Sequence, residues 1–153
     1  MREILYRAKA INRDSGYHRT NYKNGDFVYG LITRLYDERF ENLPAEMTDI
    51  NGITGIEVDY KTIGQYTGLT DKNGTRIFEG DIVEEQGSHL FGKVVYAIPQ
   101  NGYDEIAGFV IDDAVYGPQD YDGFWHDVEI VGNIHDTPEL LKGENYGTGT
   151  GKA

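Results

Sequence analysis

What most constrains this chain is its punctuation: 20 glycines in 153 residues, roughly twice the usual share, set between short runs rich in tyrosine, valine and isoleucine. No window of about a dozen residues repeats apolar side chains at i, i+3, i+4 and i+7, so a helical bundle is excluded. Short runs of strand-forming residues bounded by Gly, Pro, Asn and Asp predict a mainly β fold with minimal helix.

Residues 3–11 alternate, with Ile4, Tyr6, Ala8 and Ala10 on one face and, apart from Leu5, Glu3, Arg7 and Lys9 on the other, as a half-buried strand does. Asn24-Gly25 suits a type I′ hairpin turn, and a strand is predicted from Asp26 to about Tyr36. Gly30 within it marks a bulge or a close backbone approach. Asn42, Pro44, Asn51, Gly52 and Gly55 break every period in 37–55, which is predicted to be an irregular loop with at most one helical turn after Pro44.

Further strands are expected at 56–61, 75–85, 92–98, 106–116 and 127–134, with turns at Asp71–Gly74 and at Gly117-Pro118. Thr137-Pro138-Glu139 opens a short helix, with Thr as N-cap and Pro in the first turn. The glycine-rich residues 143–153 offer nothing to bury and are expected to form a flexible tail. Gly80-Asp81 before two apolar residues, and a second strand starting at Gly92, match the way small five-stranded SH3-like barrels begin: glycine lets the chain bend and aspartate accepts backbone N–H groups there. The predicted organisation is an N-terminal β region over 1–69, a small SH3-like barrel over 70–142 packed with it, and the tail.

Four segments occur together and in order. They are Phe27-Val28-Tyr29-Gly30; Ile63-Gly64-Gln65-Tyr66-Thr67-Gly68-Leu69-Thr70-Asp71-Lys72-Asn73-Gly74; Ile77-Phe78-Glu79-Gly80-Asp81-Ile82-Val83; and Glu129-Ile130-Val131-Gly132-Asn133-Ile134 with Pro138-Glu139-Leu140-Leu141. On these motifs the chain resembles the YopX family of phage and prophage proteins, from Phe27 to Leu141. Phe27 stands where family members often carry Trp, and the polar stretch 12–25 is longer than usual. The resemblance implies a compact β fold including an SH3-type barrel, and a phage or prophage origin. It implies no activity. Gly64, Gln65, Tyr66, Gly68, Gly74, Gly80, Asp81, Gly132 and Asn133 are read as structural residues of these motifs.

Few groupings carry chemistry. With no cysteine there is no disulfide framework, thiolate zinc site or cysteine nucleophile. His18, His89, His126 and His135 include no pair spaced to share a metal on a helix or strand. Gly64–Gly68 lacks the G-x-x-x-x-G-K-[ST] spacing of a phosphate loop, and Asp71–Gly74 lacks the oxygen ligands of a calcium loop. Ser15 and Ser88, the only serines, have no nucleophile-elbow surroundings. Asp112 and Asp113 are neighbours on a strand and face opposite sides, so they do not form an acid/base pair; Asp120 and Asp122 lie in a loop. The chain is expected to be no enzyme and to need no cofactor or metal.

Charge is distributed unevenly around the net −12: residues 1–40 carry +3, residues 41–98 carry −6, and residues 99–145 carry −10. An acidic surface repels phosphate backbones and anionic membranes, so nucleic acid is disfavoured as a partner, and only Arg2, Arg7, Lys9, Arg13, Arg19 and Lys23 offer it a landing site. The alternative nucleic-acid role is weak binding through that segment, or DNA mimicry by the acidic half directed at a host protein. Residues 1–20 lack the apolar stretch of a signal peptide and no run reaches membrane-span length, so a cytoplasmic location in a bacterial host is expected. The candidate interaction surface is the loop holding Tyr116, Asp120, Tyr121, Asp122, Phe124 and Trp125, because aromatic rings rimmed by acids suit a basic or amphipathic protein partner. The alternative is that Phe124 and Trp125 plug the barrel end. The primary expectation is a noncatalytic accessory protein with a protein partner, a second copy included.

Overall fold

The structure, a computed structural model, describes residues 3–12, 21–36, 44–87, 90–97, 108–113, 117–119 and 127–142. The chain divides into two compact units, residues 1–66 and 67–153, with the division inside one strand. The boundary expected at 69/70 lies in that same strand.

The first unit holds β1 (Tyr6–Lys9), β2 (Phe27–Arg34), β3 (Ala45–Asp49), β4 (Ile56–Val58) and the start of β5 (Gly64–Thr70), in the antiparallel order β4-β3-β2-β1-β5. A turn forms at Asn24-Gly25 directly before β2, with the Asp26 N–H donating to the Lys23 carbonyl at 3.1 Å, although the whole connection from β1 runs over residues 10–26; register places Arg7 opposite Tyr29 and Lys9 opposite Phe27. Past β1, Ala10 bridges Val58, and the N–H of Ile11 donates to the Glu57 carbonyl at 2.9 Å, so β4 curls toward the end of β1. Ala8, Ala10, Val28, Ala45, Met47, Ile56 and Val58 form the core beneath. Fully burying a side chain such as Met47 or Val58 contributes about 1.5–3 kcal/mol relative to leaving it in water.

The second unit continues from β5 through β6 (Arg76–Phe78), which lies next to β5 in the same sheet, to β7 (Asp81–Glu85), β8 (Phe91–Ala97), β9 (Gly108–Asp113), β10 (Gly117–Gln119) and β11 (Val128–Asn133). The last five form an antiparallel sheet in the order β10-β9-β8-β7-β11. Ile77, Val83, Val94, Ile111 and Val128 make its core. The molecule is thus mainly β, as predicted.

Several expectations are corrected. The two sheets are antiparallel and do not close into a barrel. Residues 37–55 contain β3, whose alternation is real: Ala45 and Met47 are buried inward, and the third inward residue is Asp49. Ile4 is exposed at 63% whereas Leu5 is buried, because ladder pairing begins only at Tyr6 and the period does not extend back. The run 75–85 is two strands, split at Glu79-Gly80, where Gly80 takes φ +89°. Gly117-Pro118 does not end the pairing but forms β10; Pro118 lacks an N–H, and β10 is an edge strand, where that loss is tolerated. The C-terminal helix is a 3-10 turn, Pro138–Leu141, and Thr137 makes no capping bond to it.

Candidate functional site

The motif residues build framework. Gly64 and Gln65 pair with Arg7 and Tyr6, and the Tyr66 N–H donates to the Leu5 carbonyl at 2.8 Å, with Tyr66 itself buried. Farther along β5, Gly68 takes φ +87°, and the Thr67 hydroxyl donates to the Ile77 carbonyl at 2.8 Å. Asp71-Lys-Asn-Gly74 is the predicted turn. Its Asp71 Oδ1 accepts the N–H groups of Asn73 and Thr75, both at 2.9 Å, and its Oδ2 accepts the Ile130 N–H of β11 at 3.1 Å. The Lys72 N–H donates to the Val128 carbonyl at 3.0 Å, and the Lys72 ammonium lies 2.9 Å from the Glu129 carboxylate. That ammonium holds the Glu129 carboxyl below its ordinary range, with a smaller contribution from Asn73. The turn therefore clamps β11.

The Gly80-Asp81 and Gly132-Asn133 segments meet at the other end of the β7–β11 pair. Asn133 is in register with Asp81, the Ile134 N–H donates to the Gly80 carbonyl at 2.9 Å, and the buried Asp81 carboxylate accepts the Phe78 N–H at 2.8 Å. A Cβ on Gly132 would overlap Thr137 Oγ1 and lie 2.9 Å from Leu140, so glycine is what lets the last turn fold onto β11. Asn133 Oδ1 accepts the N–H groups of His135 and Asp136, and Thr137 Oγ1 accepts that of Asn133. Three of the four sequence motifs thus converge on β11.

A second turn of the same composition closes β3. Asp49-Ile-Asn-Gly52 repeats the pattern: Oδ1 accepts the N–H groups of Asn51 at 2.9 Å and Ile53 at 2.8 Å, and Oδ2 accepts the Tyr22 hydroxyl at 2.8 Å. Burial raises the Tyr22 phenol to about 12, and the facing Asp49 carboxylate adds to the shift. Burial pushes Asp49 upward too, but the N–H of Ile53, the Tyr22 hydroxyl and further backbone N–H groups outweigh it and hold the carboxyl below its ordinary value.

The residues with surface to offer are on the outer face of β1–β3. Opposite the buried Val28 and Gly30, β2 presents Phe27, Tyr29 and Leu31; Leu31 is 51% exposed. Gly30 stands where a Cβ would overlap the Thr48 carbonyl oxygen, the close approach its place in the sequence predicts. Leu31 faces Thr48, and the Ile50 N–H donates to the Tyr29 carbonyl at 2.9 Å, which sets Ile50, 67% exposed, beside Tyr29. On β1, the Lys9 ammonium sits 3.9 Å and the Arg7 guanidinium 4.4 Å from the Phe27 ring centroid, in cation–π geometry. At the far end, Arg34 lies 3.7 Å from Glu46. The result is an exposed apolar row, Tyr29, Leu31 and Ile50, with the half-buried Lys9 beside Phe27; Arg7, expected on the polar face of β1, is instead buried, 6% exposed. The alternation of β2 marked these positions as outward; it did not mark them as uncovered.

The predicted interaction residues Tyr116, Asp120, Tyr121, Asp122, Phe124 and Trp125 lie outside the described residues, as do His18, His89, His126, Arg2, Arg13 and Arg19. Asp112 faces Lys93, their charged atoms 3.8 Å apart. Among the described residues no group of three or more His, Asp or Glu side chains is placed to hold a metal ion, and no helix is long and apolar enough to cross a membrane.

An antiparallel β protein whose recurrent motifs serve as framework is the class that fold and motifs define. The chain belongs to the YopX family: the family model described as "YopX protein" matches residues 28–142. It is also similar to protein EF1440 from Enterococcus faecalis, at 22% identity and a TM-score of 0.50, over 92% of this chain and 99% of that one, a likeness of fold. No curated protein matches the chain.

Proposed function

We propose that this YopX-family chain is a noncatalytic accessory protein of phage or prophage origin that engages a protein partner through the outer face of β1–β3. The observation that carries this reading is the exposed row of Tyr29, Leu31 and Ile50 on a strand pair whose inward residues are fully packed. Aromatic and aliphatic side chains held on a rigid sheet lose little entropy on docking. The noncatalytic part is supported by the buried carboxylates Asp49, Asp71 and Asp81, each of which accepts backbone N–H groups and shapes a turn. Direct nucleic-acid binding has less support, since Arg7 and Lys9 are stacked on Phe27.

The test is photo-crosslinking in host-cell lysate, with p-benzoylphenylalanine in place of Tyr29 or Leu31 and, as control, of the exposed Ile4. Discrete protein adducts from positions 29 and 31 but not from 4 are expected. Identical patterns at all three, or none at 29 and 31, would overturn the reading.

A further inference from the structure

We infer that Asn51, in the turn that closes β3, is a covalent modification site of the folded chain: of the Asn-Gly pairs within the described residues, it is the one that deamidates first.

The chemistry is intramolecular. The backbone nitrogen of Gly52 bonds to Cγ of Asn51, the Cγ–Nδ2 bond breaks, and the amide proton passes through solvent to the departing nitrogen, which leaves as ammonia. Water then opens the cyclic imide at either carbonyl, giving aspartate or isoaspartate. One water is consumed and one ammonia released, with no oxidant or reductant. Glycine favours the first step because no Cβ hinders the approach to its nitrogen. The fold sets the rest: the glycine N–H must leave its acceptor, and the asparagine amide must be able to turn.

Asn24-Gly25, Asn51-Gly52 and Asn73-Gly74 are the same dipeptide, all exposed, and their glycines share the left-handed backbone at φ +87°, +85° and +80°. Asn101-Gly102 lies outside the described residues. What separates the described pairs is their ties. The Gly25 N–H donates to the Ala10 carbonyl at 2.8 Å and Asn24 Oδ1 accepts the Asn12 N–H at 3.1 Å, so both reacting groups of that pair are engaged. In the two Asp-x-Asn-Gly turns the glycine N–H donates to the aspartate carbonyl at 3.0 Å. Asn73 Nδ2 also donates to Glu129 at 3.3 Å, and its turn is fastened through the Lys72 N–H on the Val128 carbonyl, the Ile130 N–H on Asp71, and the Lys72 ammonium on Glu129 and Gln86. Among the described residues no hydrogen bond engages the Asn51 side chain, and its turn is held from outside by the Ile50 N–H on the Tyr29 carbonyl and by the Tyr22 hydroxyl on Asp49. Local opening is therefore easiest at Asn51.

Aspartate at position 51 sets a second negative charge beside the Asp49 carboxylate, whose Oδ1 accepts the N–H of that residue. Isoaspartate carries the main chain through the side-chain methylene, and the added carbon spoils the spacing of the Gly52-to-Asp49 bond. Either product loosens the turn. If the β1–β3 face is the interaction surface proposed above, loosening also displaces Ile50 from it; the modification itself does not rest on that reading.

The test ages the purified full chain at mildly alkaline pH, folded and in guanidinium chloride. The described pairs fall in different tryptic peptides, and mass spectrometry with fragmentation locates each change and separates aspartate from isoaspartate. In the folded chain Asn51 is expected to react at least about threefold faster than Asn73 or Asn24, and in denaturant the rates are expected to converge. Asn73 or Asn24 level with or ahead of Asn51 in the folded chain, an unreactive Asn51, or a ranking unchanged by denaturant would overturn the inference. Hydrogen exchange of the aged samples reads the consequence: the Ile53 amide, which donates to Asp49 at 2.8 Å, loses protection in wild type and keeps it in Asn51→Gln, whose side chain cyclises far more slowly. Equal loss in both would refute the loosening of the turn by deamidation.

Discussion

Asp49-Ile50-Asn51-Gly52 and Asp71-Lys72-Asn73-Gly74 build one turn twice, one copy in each unit. In both, the aspartate carbonyl accepts the glycine N–H at 3.0 Å, and the aspartate N–H returns to the residue after the glycine, at 2.9 and 2.8 Å. Both carboxylates are buried and accept the same two local N–H groups. The copies part at two points. The third donor is the Tyr22 phenol in one and the Ile130 backbone N–H in the other. The second residue is the exposed Ile50 in one, while in the other it is Lys72, tied to Glu129 and, at 3.0 Å, to Gln86. The local code sets the turn, and its non-local wiring sets the use. One copy clamps a strand, and the other leaves an apolar side chain for the candidate face.

The sharpest way to break this comparison is to remove each carboxylate. Asp71→Ala leaves three N–H groups without their acceptor, those of the exposed Asn73 and Thr75 and of the half-buried Ile130, and frees β11 from the turn; the expected loss is about 3–4 kcal/mol, since bonds to a charged acceptor run about 1.5–3 kcal/mol each and losses within one turn are not additive. Asp49→Ala is expected to cost about 2–3 kcal/mol, because its third donor is a side-chain hydroxyl, which can turn to water, whereas the Ile130 N–H is fixed in the backbone of β11. Hydrogen exchange reads the two units separately: the Ile130 amide loses protection in the Asp71 variant and keeps it in the Asp49 variant. Equal loss of Ile130 protection in both variants would show that the wiring does not differ.

These two turns also measure what the sequence discloses. Asp71–Gly74 is legible as a turn because clear strands flank it. Asp49–Gly52 is hidden among Pro44, Asn51, Gly52 and Gly55, and the inward third position of β3 is an aspartate, so the period-2 pattern of Ala45 and Met47 stops before it can be recognised. Gly132 and Asn133 stand out as motif residues, but their reason, the Thr137 side chain folded over β11, depends on a contact no spacing reveals. The helix signal at Thr137-Pro138 misleads for the same cause, since the Thr137 hydroxyl is already engaged by Asn133. The candidate face was half legible: alternation sends Tyr29 and Leu31 outward, as found, but sends Arg7 outward as well, and the fold buries it; what covers an outward side chain is a tertiary property.

The phenol wiring of the first turn makes its stability respond to pH at both ends. Asp49 has its folded pKa lowered, so its contribution is present above the unfolded value of about 4 and is lost as pH falls through the folded value below it. Tyr22 has its folded pKa raised from 10.0 to about 12, so its contribution is complete below 10 and is lost as pH rises toward 12. Tyr22→Phe is expected to cost about 1 kcal/mol at neutral pH, to abolish the loss between pH 10 and 12, and to move the acid transition toward higher pH. Denaturant midpoints across pH, compared with wild type, check all three. An unchanged alkaline limb in the variant would mean that the phenol does not couple to folding.

The smallest effect tests what the two turns share. Gly52 and Gly74 take φ +85° and +80°, and a Cβ on either would meet no atom within 4 Å. Space is therefore not the constraint; the left-handed backbone is, and an L side chain there costs about 1–2 kcal/mol. Gly52→Ala and Gly74→Ala are expected to lose the same amount, near 1 kcal/mol each, although the surrounding wiring differs. Asparagine, which tolerates this conformation better, should recover part of the loss at both sites. Equal losses with equal recovery place the cost in the turn alone. A larger loss at Gly74 would mean that the ties of Asp71 and Lys72 to β11 hold that backbone too tightly to relax, so the clamp would reach into the local geometry as well as fixing where the turn sits.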